Sequence, residues 1–486
     1  LYLYWHSHGT AKGACKTRNQ RRFNLLALSM SRPPRSLWQE IASLVELAWP
    51  VVISRVAIFS LVVVDTIMVG RHASDELAFL GIGLVPSSIC ILFIVGLLMG
   101  TMVKVSNHFG AGRYEECGAS WWRSLPIAAV LGLLALVICA CGETLLTLLG
   151  QPSEIAEAGG RVSMIMGLGM PLIAVQVTTG YFLEGINRVR PGMIIILIVN
   201  VANIYLNDIL INGRMGFPAM GAEGSAWATN IVRLMMVVMI FAYVWFMHDQ
   251  KKYAVRRRPL RNSDASREQR RIGYAAGVSM GIENTAFSFL SVFAGMIGTL
   301  SLATHTITMN FFSLCFMLGL GVGTATAVRV GNANGAKNWR QVYRLGWIGL
   351  GTQFALMLPL TLCMIFYSDY IVGFYSSDRE LTALAAKVLS FAAYAILLDA
   401  GQSLIAQSFR ARGDNWSAPV IHFMSFGCLM IPISYISSIY LERGVFGLYD
   451  GLFIGSFAAL MLCLNRNIML NRKLPLDEAV DVIVNV

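Results

Sequence analysis

GVSMGIENTAFSFLSVFAGMIG, residues Gly277–Gly298, is predominantly apolar and carries one charged side chain, Glu283. An α-helix rises 1.5 Å per residue, so a stretch of this length crosses ~30 Å of hydrocarbon. It therefore reads as a membrane span. Ionising a carboxylate inside such a span is costly, so Glu283 needs a partner or a task.

The rest of the chain agrees with a membrane setting. Hydrophobic residues make up 56% and charged residues 13%, against about 25% charged in soluble domains. The mean hydropathy is +0.61. Apolar windows predict twelve spans, near 45–70, 77–104, 121–142, 162–186, 191–212, 222–247, 273–299, 302–328, 343–367, 385–410, 416–440 and 445–466. The expected fold is all-α and integral to the membrane, with twelve transmembrane helices in two pseudo-symmetric six-helix lobes.

Charge placement orients these spans. The N-terminal segment, the even-numbered loops and the C-terminal tail, with the span ends that flank them, hold 30 of the 38 Lys and Arg residues; the odd-numbered loops hold five. By the positive-inside rule both termini are cytoplasmic. The net charge of +11 lies between apolar segments and is not interleaved with aromatics, which argues against a nucleic-acid partner. Residues 1–43 read as a cytoplasmic segment, with 1–29 an over-extended translation start and the true start near Met30. The lobes are expected at 44–247 and 273–470, joined by a basic linker, 248–272, and followed by a tail, 471–486. Scattered cysteines show neither a metal spacing nor a disulfide framework.

The halves resemble each other. GLLMGTMVKVSNHFGAG (Gly96–Gly112) aligns with GLGVGTATAVRVGNANG (Gly319–Gly335), and GINRVRP (Gly185–Pro191) with GDNWSAP (Gly413–Pro419). Six spans per half give both the same orientation, as in parallel-repeat transporters, and the cleft between them is a natural substrate site.

The spans contain ionisable residues that need explaining: Arg55, Asp65, Arg233, Glu283 and Asp399. Glu283 stands ten residues into its span from the basic side, about 15 Å deep. Asp399 reaches nearly the same level from the other side. A low dielectric disfavours the charged form of a carboxylate, so each is poised to take up a proton or to ionise beside a cation. The plainer alternative is a structural hydrogen bond or ion pair. Asp65, near the outer end of its span, could simply reach water, and Arg55 and Arg233 read mainly as structural partners.

Five motifs, in order, carry a family resemblance: LAWPVVIS (Leu47–Ser54), VDTIMVGR (Val64–Arg71), SNHFGAGRYEE (Ser106–Glu116), the run from Leu302 to Ala336, and LLDAGQSLIAQSFRARGD (Leu397–Asp414). They resemble the MATE (multidrug and toxic compound extrusion) family in its NorM-like branch. The resemblance implies a bacterial inner-membrane antiporter that exports cationic amphipathic drugs in exchange for Na⁺ or H⁺, with no covalently bound cofactor, as a monomer among membrane lipids. It assigns cation coupling to Glu283, Asp399 and Asp65, with Na⁺ at Glu283 and Asp399. It also implies drug contacts at Asp65, at Asp378 of YSSDRE, and at Thr306, Asn203 and Asn207. Where the family has His-Gln, this chain has His305 and Thr306. Where some relatives pair Asn with an acid four residues on, it has Asn203 and Asn207, with Asp208 next. His305 itself reads as a packing or hydrogen-bonding residue.

Two alternatives compete. A lipid or lipid-linked-precursor flippase would need cavity cations, for which Arg55 and Arg233 are the candidates. A membrane enzyme lacks support: the sequence has no HExxH or Walker motif.

Overall fold

The computed structural model describes residues 36–148, 150–260, 262–375 and 378–472. Contacts divide the chain into a unit Leu1–Ser43 and a unit Leu44–Val486, the latter holding the cavity. The start near Met30, Cys15 and most of the tail lie outside the described residues. The first half contains α1 (Leu37–His72), α2 (Ser74–Gly110), α3 (Tyr114–Ala140), α4 (Gly142–Leu148), α5 (Ser153–Leu168), α6 (Met170–Gly185), α7 (Arg190–Asn212) and α8 (Gly221–Phe246). The second contains α9 (Ser263–Ile297), α10 (Thr299–Gly335), α11 (Trp339–Phe366), α12 (Ser368–Gly373), α13 (Arg379–Ala411), α14 (Ser417–Tyr440) and α15 (Val445–Arg472).

Eleven of these helices are long and apolar enough to cross a membrane, and the bent pair α5–α6 makes the twelfth. The predicted span 162–186 is thus two helices meeting at 43°. Pro171 supplies no backbone N–H to continue the helix. Gly169 lets the neighbouring helix close on the break, since a Cβ there would lie 2.1 Å from Asn230 Oδ1. In α14 the wide π-helical turns Phe423–Met430 and Ile436–Tyr440 flank Pro432, which likewise interrupts the ordinary ladder.

The linker differs most from expectation. The seventh span begins at Ser263, where the Asn262 side chain caps it by accepting from Ala265 N. Charged residues in its first turns hid this start from an apolar window. Upstream, Tyr253 and Val255 are buried, and Trp122 Nε1 donates to Val255 O at 2.7 Å. Lys252 Nζ stands 3.9 Å over the Tyr114 ring, and Arg188 pairs with Asp249. Residues 247–258 therefore pack on the first half, leaving 259–262 to join the halves.

Beneath this segment Trp121 is fully buried, its ring centroid 5.8 Å from Phe182 and 5.4 Å from Phe241. Its Nε1 donates to Thr179 Oγ1 at 3.2 Å. Trp121→Ala should destabilise the protein by about 3–5 kcal/mol, measurable as a lowered midpoint of thermal unfolding in detergent, with Trp121→Phe losing less.

The two halves meet through α2 against α9 and α10. Small residues permit the approach. A Cβ at Gly100 would lie 2.2 Å from Gln269 O, at Gly110 1.8 Å from Asn332 O, and at Gly273 1.9 Å from Leu97 O. Polar bonds reinforce the seam. Asn107 Nδ2 donates to Ala411 O (3.0 Å), Asn334 Nδ2 to Asn107 Oδ1 (2.7 Å), and Gln269 Nε2 to Ser124 Oγ (2.5 Å). These contacts lie in the helix ends that carry the basic loops.

Candidate functional site

Both halves line one cavity of ≈ 760 Å³, within the 300–1,000 Å³ usual for small-molecule sites. Its walls are mainly apolar and include Phe287, Phe312 and Phe316. Into them are set four acids, Asp65, Glu184, Glu283 and Asp399, and four arginines, Arg55, Arg188, Arg233 and Arg410. Equal numbers leave placement to decide the character of the site.

In the second half, Gln402 Nε2 donates to Glu283 Oε1 and to Asp399 Oδ1, each at 3.2 Å. One amide thus bridges two carboxylates from α9 and α13. Asp399 is buried. His422 Nδ1 lies 3.7 Å from Glu283 Oε2 and 3.0 Å from Ser279 Oγ. The wide turns that begin just after His422 are a common device for setting a side chain at a site. Among the described residues, no Lys or Arg lies within ion-pair distance of either carboxylate. Gln402 Oε1 is buried and unbonded, so a half-turn of the amide would present an oxygen to a cation held between the two acids. Oxygen donors of this kind suit a hard cation such as Na⁺. Among the described residues no three His, Cys, Asp or Glu side chains gather around one point.

In the first half, Asp65 is also buried. Its Oδ1 accepts from Asn207 Nδ2 at 2.6 Å and its Oδ2 from Thr229 Oγ1 at 2.9 Å. Asn207 Nδ2 also donates to Asn203 Oδ1 at 3.2 Å, which leaves Asn207 Oδ1 and Asn203 Nδ2 buried without partners. Asn207 thus stands where an acid stands in some relatives, and this cluster has one carboxylate. The adjacent Asp208 faces away, its Oδ2 accepting from Arg214 Nη1 at 2.7 Å.

Thr306, Asp378 and His305 are not among the residues lining the cavity. The Thr306 hydroxyl donates back to Leu302 O on its own helix at 2.8 Å. Asp378 caps α13, with Oδ1 accepting from Glu380 N at 2.9 Å. His305 lies 3.1 Å from both Ser291 Oγ and Tyr449 Oη through its two ring nitrogens. Arg55 Nη2 pairs with Glu184 Oε1 at 2.9 Å, and Arg233 Nη1 donates to Asn230 Oδ1 at 3.2 Å and Met166 O at 3.3 Å. Sequence reasoning missed Glu184, Gln402, Arg410 and His422. Glu184 and His422 were legible as ionisable residues within predicted spans.

Comparison with known proteins gives a consistent result. The MatE family model matches the chain twice, over residues 50–209 and 275–436. The chain is 33% identical over 452 residues to the probable multidrug resistance protein NorM of Caulobacter vibrioides, covering 92% of this chain and 95% of that one. It is 28% identical to the multidrug resistance protein PmpM of Pseudomonas aeruginosa, covering 91% and 94%. In fold it is similar to the eukaryotic MATE transporter AtDTX14, with TM-score 0.84 at 17% identity over 92% of this chain and 99% of that one. An outward-facing multidrug resistance MATE transporter gives 0.82 at 19% identity, covering 90% and 96%.

Proposed function

The chain belongs to the MatE family, and from that membership we propose that it is a multidrug efflux antiporter of a bacterial inner membrane. It exports cationic amphipathic compounds in exchange for Na⁺ or H⁺, with both chain ends on the cytoplasmic side. The observation that carries the reading is the Gln402 amide bridging Glu283 and Asp399 on the cavity wall, with no Lys or Arg among the described residues as their ion-pair partner. Two acids so placed at membrane depth need either a mobile cation or a proton.

Open to the outside, Glu283 and Asp399 take up the coupling cation, and Asp65 is neutralised in the other half. With that charge gone the cavity holds a cationic drug less well, and the drug leaves. The halves then part at their basic ends, the cation dissociates inside, and the ionised acids attract the next drug. Coupling requires that cation and drug each bind the two states unequally. The membrane potential adds ~2.3 kcal/mol per charge per 100 mV. The two arginines offered for a flippase are engaged inside the protein, Arg55 by Glu184 and Arg233 by a carbonyl and an amide oxygen.

Drug efflux from proteoliposomes, driven first by a Na⁺ gradient and then by a pH gradient alone, tests the reading and identifies the cation. Failure of both gradients would overturn it. Asn207→Leu, which removes the 2.6 Å bond to Asp65, should lower the rate about tenfold, the usual effect of losing a hydrogen bond to a charged group. An unchanged rate would take Asp65 out of the mechanism.

A further inference from the structure

Arg410 has no place in the scheme above, yet it lines the cavity and is 3% exposed. Its Nη2 donates to Ser279 Oγ at 2.9 Å, and Nη1 meets Met99 Sδ at 3.8 Å. Its Nε is buried and unbonded. Among the described residues no carboxylate lies within 4 Å of the guanidinium. A buried cation in that position is costly unless an anion compensates it. Its anchor, Ser279, stands one helical turn before Glu283 on α9, ~6 Å along the axis. The Ser279 hydroxyl also meets His422 Nδ1, the ring next to Glu283. The scaffold therefore holds a fixed positive charge beside the candidate cation site without letting it form a closed ion pair.

We propose that Arg410 is a tethered counter-cation for Glu283, a built-in competitor of the coupling cation. The proposal rests on the reading that Glu283 and Asp399 take up that cation. Two ionised carboxylates at membrane depth hold a cation tightly and so oppose its release. A guanidinium one turn away stabilises the emptied site and so speeds dissociation, and it repels the cation when the site is filled. Ser279 keeps the two from collapsing into a permanent pair. The Met99 contact, together with the Asn107–Ala411 bond beside it, places this charge at the seam between the halves. Release of the cation and parting of the seam thus act on the same side chain.

The test uses the reconstituted full chain, with drug efflux measured against the concentration of Na⁺, or of H⁺ where that drives exchange. Arg410→Gln should lower the half-saturating cation concentration about tenfold, since two charges at this range alter an equilibrium by at least that much. Arg410→Lys, which keeps the charge, should stay within about twofold of wild type. Ser279→Ala, which frees the guanidinium to approach Glu283, should raise the half-saturating concentration. A merely structural Arg410 predicts a lower maximal rate in both Arg410 variants with the half-saturation unmoved, and that result overturns the proposal. Should Arg410→Gln not fold, an unmoved or lowered half-saturation in Ser279→Ala overturns it instead. Retention of cation-driven exchange by Glu283→Gln would defeat the underlying reading. Its loss there, with no shift at Arg410, defeats this proposal alone.

Discussion

Glu283→Gln should abolish cation-driven export, lowering the rate roughly 100-fold, as expected when a coupling free energy of a few kcal/mol is removed. The substitution changes almost nothing else. Gln has the volume of Glu, and its amide oxygen can still accept from Gln402 Nε2, which donates to Glu283 Oε1 at 3.2 Å. No ion pair with Lys or Arg is lost, so the protein should fold and reach the membrane in wild-type amount. What disappears is the charge that a cation or proton neutralises, and with it the difference in drug affinity between the two states. Asp399→Asn should act alike, because its Oδ1 shares the same amide. Efflux from proteoliposomes at matched protein content is the measurement, with thermal unfolding as the control for folding. Undiminished gradient-driven efflux in either variant would sink the assignment.

How far the sequence anticipates this site follows from the physics of each residue. A carboxylate in an apolar run is conspicuous because its burial is costly, so Glu283 and Asp399 stand out without a structure. Gln402, which joins them, is neutral and inconspicuous among the small and apolar residues of α13. Arg410 falls at the last position of the predicted span 385–410, where a basic residue normally reaches the interface. Its contacts with Ser279 of α9 and Met99 of α2 hold it inside instead. Asp378 and Thr306 illustrate the reverse. A polar side chain near a helix end satisfies the backbone more readily than it reaches a cavity, and a helical Thr readily turns its hydroxyl onto its own carbonyls.

The same limit applies to the fold. Twelve spans are visible from apolar windows, and the repeat from its glycine motifs. The break in the fourth span follows from Gly169 and Pro171, which a hydropathy window averages away. The packing of the linker leaves no trace in windows that count charge; Tyr253 and Val255, its two anchors, are too few to register. A contact between residues more than a hundred apart, such as Trp122 with Val255, leaves no local signal.

Gly273→Val should be the most disruptive change at the seam. A Cβ at residue 273 would stand 1.9 Å from Leu97 O, and a backbone carbonyl inside α2 cannot swing aside as a side chain would. Strain is relieved only if α9 and α2 separate, which disfavours the joined arrangement by about 1–3 kcal/mol and its population by roughly 5–150-fold. Neither half is damaged internally, so the variant should still reach the membrane. Two measurements separate this from simple misfolding. Drug efflux should fall at least about tenfold. A thiol introduced by Ser106→Cys, at a position buried in wild type and facing Gly331 across the seam, should become reactive to a membrane-impermeant maleimide. That reactivity should appear only from the side of the basic loops, where the seam lies. Normal efflux with an unreactive thiol would mean that the helices absorb the extra methyls without parting, and that the seam is not a gate. Normal efflux with a reactive thiol would mean that the seam opens without governing transport. Only lost efflux with a newly reactive thiol supports alternating access through this contact.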